Sequence, residues 1–152
     1  MRLRGAAPGA AVLVALACAL VVLAGCGSSA KPLSKADFIA KADGICQKYT
    51  TLSAESTKDL KNPSPDQVIQ AIRTRLLPLF EQQDKDLAKL HPPTADKAVV
   101  AKFLKDLAAA TQDMGINTKA FVAAHGLSQL FAKASLEARN YGLKVCAKTG
   151  SG

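Results

Sequence analysis

The stretch SPDQVIQAIRTRLLPLF, residues 64–80, decides what kind of fold this chain adopts. It opens with the clearest helix-start signal in the sequence. Ser64 is a favoured cap, Pro65 suits the first helical position, Asp66 sits at the positive end of the helix dipole, and Gln67 can reach back to the cap's own amide. Behind it Ile69, Ile72, Leu76, Leu79 or Phe80, Gln83, Leu87 and Leu90 recur at helical spacing, which places them on one face. Pro78 falls inside that stripe. It removes one backbone donor and crowds the carbonyl of Thr74, so a kink is expected there rather than a clean stop. The helix ends at His91-Pro92-Pro93, because a residue before proline resists the α conformation.

The same periodicity extends to both sides. Upstream, Ser34-Lys35-Ala36-Asp37 has the capping-box pattern, and Phe38, Ala42, Ile45, Tyr49, Leu52 and Ser56 form one stripe, with the helix ending near Lys61-Asn62-Pro63. Downstream, Thr94 is the expected cap of a third helix whose stripe is Val100, Phe103, Leu107, Ala110, Met114, Thr118 and Phe121. Gly115 weakens that helix by about 1 kcal/mol relative to alanine, which predicts a bend or break over Met114-Gly115-Ile116-Asn117. The segment ends at His125-Gly126. A fourth helix is predicted from Ser128 to Ala147, with Leu127, Leu130, Ala134, Ala138, Tyr141 and Val145 inward.

Composition agrees with helices. Apolar residues make up 49%, much of it alanine, aromatics only 5%, and tryptophan is absent. No alternating apolar run is long enough for a strand, and no repeat is evident. Four amphipathic segments on short connections predict an all-α, antiparallel up-down-up-down four-helix bundle.

The amino terminus carries a different signal. Met1-Arg2-Leu3-Arg4 is a short positive start, and Ala6 to Ala24 is uncharged and rich in Ala, Val and Leu. This is the layout of a secretory signal peptide; a transmembrane helix is the competing reading for so long an apolar run. Leu23-Ala24-Gly25-Cys26 resembles the lipobox of bacterial lipoproteins. The resemblance implies cleavage between Gly25 and Cys26, with Leu23, Ala24 and Gly25 recognised by the signal peptidase, and a diacylglyceryl group on the Cys26 sulfur. The expected organisation is then a lipoprotein signal peptide over 1–25, a lipidated flexible tether over 26–33, the bundle over 34–148 and a frayed tail over 149–152. The expected location is the outer face of the cell membrane.

By that resemblance Cys18 leaves with the signal peptide and Cys26 carries lipid, so Cys46 and Cys146 remain. In an exported chain the expected state is a disulfide between them, with two free thiols or a redox pair as the alternatives. Cys46 lies about 18 Å inside helix one at 1.5 Å per residue. The fourth helix is therefore expected to be short or offset, leaving the first turns of helix one projecting past its end. FIAKADGIC at 38–46, with LLPLF, KLHPP and a late cysteine, loosely resembles small helical lipoproteins of high-GC Gram-positive bacteria, largely of unknown function. That resemblance implies helices, lipidation and the disulfide, and no active site.

Chemical motifs are sparse. HExxH, Glu-x-x-His, CxxC, glycine-rich phosphate loops and GxSxG are all missing, so no cofactor, metal or catalytic set is expected. His91 and His125 sit at predicted helix carboxyl ends, where an imidazole favours the dipole. Glu81, Asp84 and Asp86 form an acidic cluster, with Glu81 and Asp84 on one helix side, able to bind a cation or an amine; Lys85 and Lys89 are nearby counter-charges. The net charge of +8 becomes 18 − 12 = +6 without Arg2 and Arg4, which suits anionic partners such as lipid headgroups or wall polymers. Arg73 and Arg75 lie on different helix sides without interleaved aromatics, so nucleic acid is not an expected partner. The function expected is that of a non-catalytic binding or interaction module, acting on an envelope protein or an anionic wall polymer. The alternative is a carrier or sensor holding a small apolar ligand between helices, near Pro78 and Gly115, with Phe80, Phe103, Met114, Phe121 and Phe131 as its lining.

Overall fold

A computed structural model describes residues 31–124 and 127–149. The signal peptide, the lipobox with Cys26, most of the tether, His125 and the last three residues lie outside the described residues. Among the described residues the chain is all-helical, without a strand: α1 Lys35–Thr57, α2 Pro65–Ala71, α3 Leu77–Ala88, α4 Lys97–Ile116, α5 Thr118–Ala123 and α6 Leu127–Tyr141. A π-helical segment Ile72–Leu76 joins α2 to α3, and short 3-10 turns lie at Thr94–Asp96 and Cys146–Lys148. No helix among the described residues is long and apolar enough to cross a membrane.

Ser34 caps α1 by accepting the Asp37 amide at 3.1 Å. Asp37 is one methylene shorter than the glutamate of a full capping box, and its carboxylate accepts the Ser34 hydroxyl at 2.6 Å instead of the cap's backbone amide. The helix stops at Thr57, earlier than its predicted end near Asn62. There the hydroxyls of Ser56 and Thr57 donate to the Ser53 carbonyl, and Arg75 Nη1 donates to the Ser56 carbonyl, while Asn62 takes a left-handed φ of 50°. Cys46 takes an inward place beside Phe38, Ala42 and Tyr49, whereas Leu52, predicted inward, is exposed.

The Ser64–Gln67 capping box forms in full, with Ser64 N donating to Gln67 Oε1 at 2.8 Å and Gln67 N to Ser64 Oγ at 3.3 Å. The disturbance expected at Pro78 takes a specific form. Just before it the helix widens, and the Leu77 amide donates five residues back to the Ile72 carbonyl. A 3-10 turn over Thr94–Asp96 precedes α4, so Thr94 does not cap that helix as predicted. The break foreseen after Met114 occurs at Asn117, which separates α4 from α5.

The largest departure is at the carboxyl end. The fourth predicted helix stops at Tyr141, six residues before Ala147. Gly142 adopts φ 109°, a left-handed value that costs glycine little. Its amide bonds the Arg139 carbonyl at 3.0 Å and the Leu143 amide bonds the Ala138 carbonyl at 2.9 Å, a Schellman motif with buried Leu143 as its apolar plug. The chain then doubles back. The first turns of α1 therefore do not project past the last helix: Tyr141 meets Phe38 edge-on at 5.8 Å, and Lys35 Nζ lies 4.6 Å from the Tyr141 ring centre.

The core is shared by α1, α3, α4 and α6, with Phe38, Leu87, Leu107, Met114 and Phe131 almost wholly buried. Each such side chain contributes about 1.5–3 kcal/mol by leaving water. Along the α4–α6 seam Asp106 meets Lys133, Lys102 meets Glu137, and Asp96 meets Tyr141, so one helix descends as the other rises. Leu77 packs on Gly115, where an added Cβ would come within 3.0 Å of Leu77 Cδ2.

Candidate functional site

Chemically equipped side chains gather along α3, which is packed between α1 and α4. Gln83 faces α1, is buried, and donates from Nε2 to Cys46 Sγ at 3.6 Å. Cys46 is bonded to Cys146, with an S–S distance of 2.02 Å and a Cα–Cα distance of 5.2 Å, and both residues are buried. The expected pairing is thus present: α6 is short, one of the two forms expected, and the reversal after Gly142 carries Cys146 back to α1.

Asp43, which no motif singled out, holds that reversal in place. Its Oδ2 accepts the Lys144 amide at 2.9 Å, and its Oδ1 accepts the amides of Val145 at 2.9 Å and Cys146 at 3.1 Å. A carboxylate three residues before Cys46 thereby aligns the segment that carries Cys146. Its partners are a hundred residues away, and no local pattern announces such a pairing.

The acidic cluster divides between two neighbours. Asp86 turns toward α1, where it accepts Tyr49 Oη at 2.7 Å and Lys89 Nζ at 2.8 Å, with Lys48 Nζ at 3.7 Å. Lys89 and then Tyr49 hold the Asp86 carboxyl well below the usual carboxylate range. Burial, followed by the bond to Asp86, raises the Tyr49 phenol. Asp84 instead turns toward α4 and is half-buried. Burial pushes its pKa up to about 6; the Thr111 hydroxyl beside it pulls down and the Glu81 carboxylate pushes up. That Thr111 contact falls short of a hydrogen bond, because Asp84 Oδ1 and Thr111 Oγ1 are both buried without a partner. Glu81 is exposed.

The other polar groups sit in structural pairs. Lys102 bridges Asp106 and Glu137, and Lys133 also reaches Asp106, whose carboxyl is held low by Lys133 and Lys102. Tyr141 donates to Asp96 at 2.8 Å, and burial with that bond raises its phenol. Arg75 pairs with Asp59 at 2.6 Å. His91 is exposed after α3, and its backbone carbonyl accepts the Leu33 amide at 2.9 Å, tying the start of α1 to the end of α3. No group of three or more His, Cys, Asp or Glu side chains able to hold a metal occurs among the described residues.

Two of the residues predicted to line a ligand space, Phe80 and Phe131, are packed ring on ring at 5.1 Å. Phe103 and Met114 are buried, and Phe121 is half-buried. Among the described residues, fold and side chains together define an all-helical domain stapled by one buried disulfide. No family model, curated protein or solved structure matches the chain.

Proposed function

We propose that this chain is a cell-envelope lipoprotein, anchored at the outer face of the membrane through lipid on Cys26, whose helical domain acts as a non-catalytic binding module. Leu23-Ala24-Gly25-Cys26 behind a positive start and an apolar run carries the reading. Seven residues, 27–33, separate Cys26 from the cap of α1 and span a little over 20 Å when extended, at about 3.3 Å each, which keeps the domain close to the lipid surface. The buried Cys46–Cys146 disulfide supports an oxidising compartment.

The domain is read as a four-legged antiparallel bundle: α1, the α2–α3 run, the α4–α5 run and α6. The contacts of Leu33 with His91, of Leu77 with Gly115 and of Lys102 with Glu137 support that order. The engagement of Asp43, Asp86 and Asp106 in structural bonds supports binding rather than catalysis. The partner class is an envelope protein or an anionic wall polymer, in keeping with the net +6 (18 − 12) of the chain without Arg2 and Arg4.

Membrane fractionation of the Cys26→Ser variant tests the anchor. The variant is expected in the soluble exported fraction, while the parent resists a carbonate wash; a variant that stays in washed membranes overturns lipid anchoring in favour of a transmembrane segment. Native mass spectrometry of the parent from its own membranes tests the binding role. A co-purifying protein supports it, and a retained small apolar molecule replaces it with the carrier reading.

A further inference from the structure

The seam between α3 and α4 holds two polar atoms that the fold leaves without partners. Thr111 is only 3% exposed, yet its Oγ1 makes no hydrogen bond, and neither does the buried Oδ1 of Asp84 on the facing helix. A helical threonine commonly turns its hydroxyl to the carbonyl four residues back, as Thr50 does to Cys46 and Thr118 to Met114. Thr111 does not; it lies beside the Asp84 carboxylate. Glu81 stands three residues before Asp84, on the same side of α3 and open to solvent, close enough to act on it electrostatically. The seam thus presents two carboxylates and a hydroxyl, an oxygen-only donor set of negative charge. Hard cations select such donors, and neither sulfur nor imidazole is among them.

We propose that Asp84, Glu81 and Thr111 form a binding site for a hard divalent cation, of the calcium or magnesium kind, at the α3–α4 seam. Asp84 is the central ligand, Thr111 Oγ1 the buried one, and Glu81 closes the site from its solvent edge. Three protein side chains, only two of them charged, leave most of the coordination sphere to water. The affinity expected is therefore that of weak extracellular sites, a Kd of about 0.1–1 mM. The ion relieves a carboxylate with one oxygen held away from water and unpartnered.

The test is thermal unfolding of the full chain in detergent, with CaCl2 or MgCl2 titrated into the millimolar range at ionic strength held constant with NaCl. Near neutral pH a saturable rise in Tm of several degrees is expected with at least one ion. Asp84→Asn is expected to fold, to start from a higher Tm and to lose the response. Thr111→Val is expected to shift the titration midpoint about tenfold to higher concentration, the size of effect typical of losing a supporting group at a metal site. The proposal is overturned by the lack of a saturable rise with either ion, or by a rise that Asp84→Asn retains. If that variant does not fold, an unchanged midpoint in Thr111→Val overturns it alone.

Discussion

At position 84 a carboxylate is held between two helices with one oxygen unpartnered, while two residues on Asp86 accepts Tyr49 and Lys89. The two acids consequently respond to pH in opposite senses. Asp84, raised from 3.8 to about 6, binds a proton more tightly in the folded chain than in the unfolded one. Its effect on stability is thus unfavourable above about pH 6 and fades as pH falls toward 4. That displacement corresponds to on the order of 3 kcal/mol, reduced by solvent at the open edge of the seam. Asp86 is lowered, so its contribution is present above its unfolded value near 4 and is lost as pH falls below it. Tm is expected to rise on going from about pH 7 to about pH 5 and to fall below about pH 4. Asp84→Asn is expected to raise Tm at pH 7 in the absence of divalent cations and to flatten the upper limb of the profile; a variant whose Tm drops at pH 7 contradicts the account. Both acids stand out in the sequence as one cluster. Their opposite roles follow from two helical steps of about 100° each, which turn the two side chains to nearly opposite sides of α3.

Among the elements, the segment after Gly142 depends most on a distant group. It leaves α6 through a Schellman motif and is received by the Asp43 carboxylate, which accepts three backbone amides. Hydrogen bonds to a charged acceptor contribute about 1.5–3 kcal/mol each, and these share two oxygens. Asp43→Ala is accordingly expected to destabilise the domain by about 2–4 kcal/mol in urea unfolding. It is also expected to speed hydrogen exchange at the amides of residues 144–146, whereas Asp43→Asn retains one acceptor oxygen and loses less. Unchanged exchange at those amides in Asp43→Ala is the contrary result. The sequence already contains Gly142, but an apolar stripe that runs on to Val145 masks it as a helix end. Past Tyr141 the stripe does not continue: Val145 is half-buried, and the residues that go inward are Leu143 and Cys146, which lie off it on the reversed segment. At Pro78 the legible feature was the missing donor; the wider turn before it depends on how Ile72 and Leu77 pack against their neighbours.

For the molecule as a whole, the disulfide joins residues 100 positions apart and closes most of the described chain into one loop. In the chain-entropy account a loop of that length stabilises the fold by about 4–5 kcal/mol. Reduction is expected to lower Tm substantially, read by helical circular dichroism with and without reductant after denaturation has exposed the bond. Because Asp43 holds the Cys146 segment independently, Cys46→Ala with Cys146→Ala is expected to keep the helical spectrum while unfolding at lower temperature. Equal Tm values for the oxidised protein and the double variant contradict the stapling role.

Helical periodicity, the Ser34 and Ser64 starts, the break after Met114 and the all-α class were legible in the sequence, because each depends on residues within a turn or two of one another. Tertiary structure alone decided that Cys146 returns to Cys46 by a reversal held on Asp43. It also decided that Asp84 and Asp86 part company and that Thr111 lies beside a half-buried carboxylate. These relations join positions 27 (111 − 84) to about 100 residues apart, and they exist only once the packed helices set which faces meet.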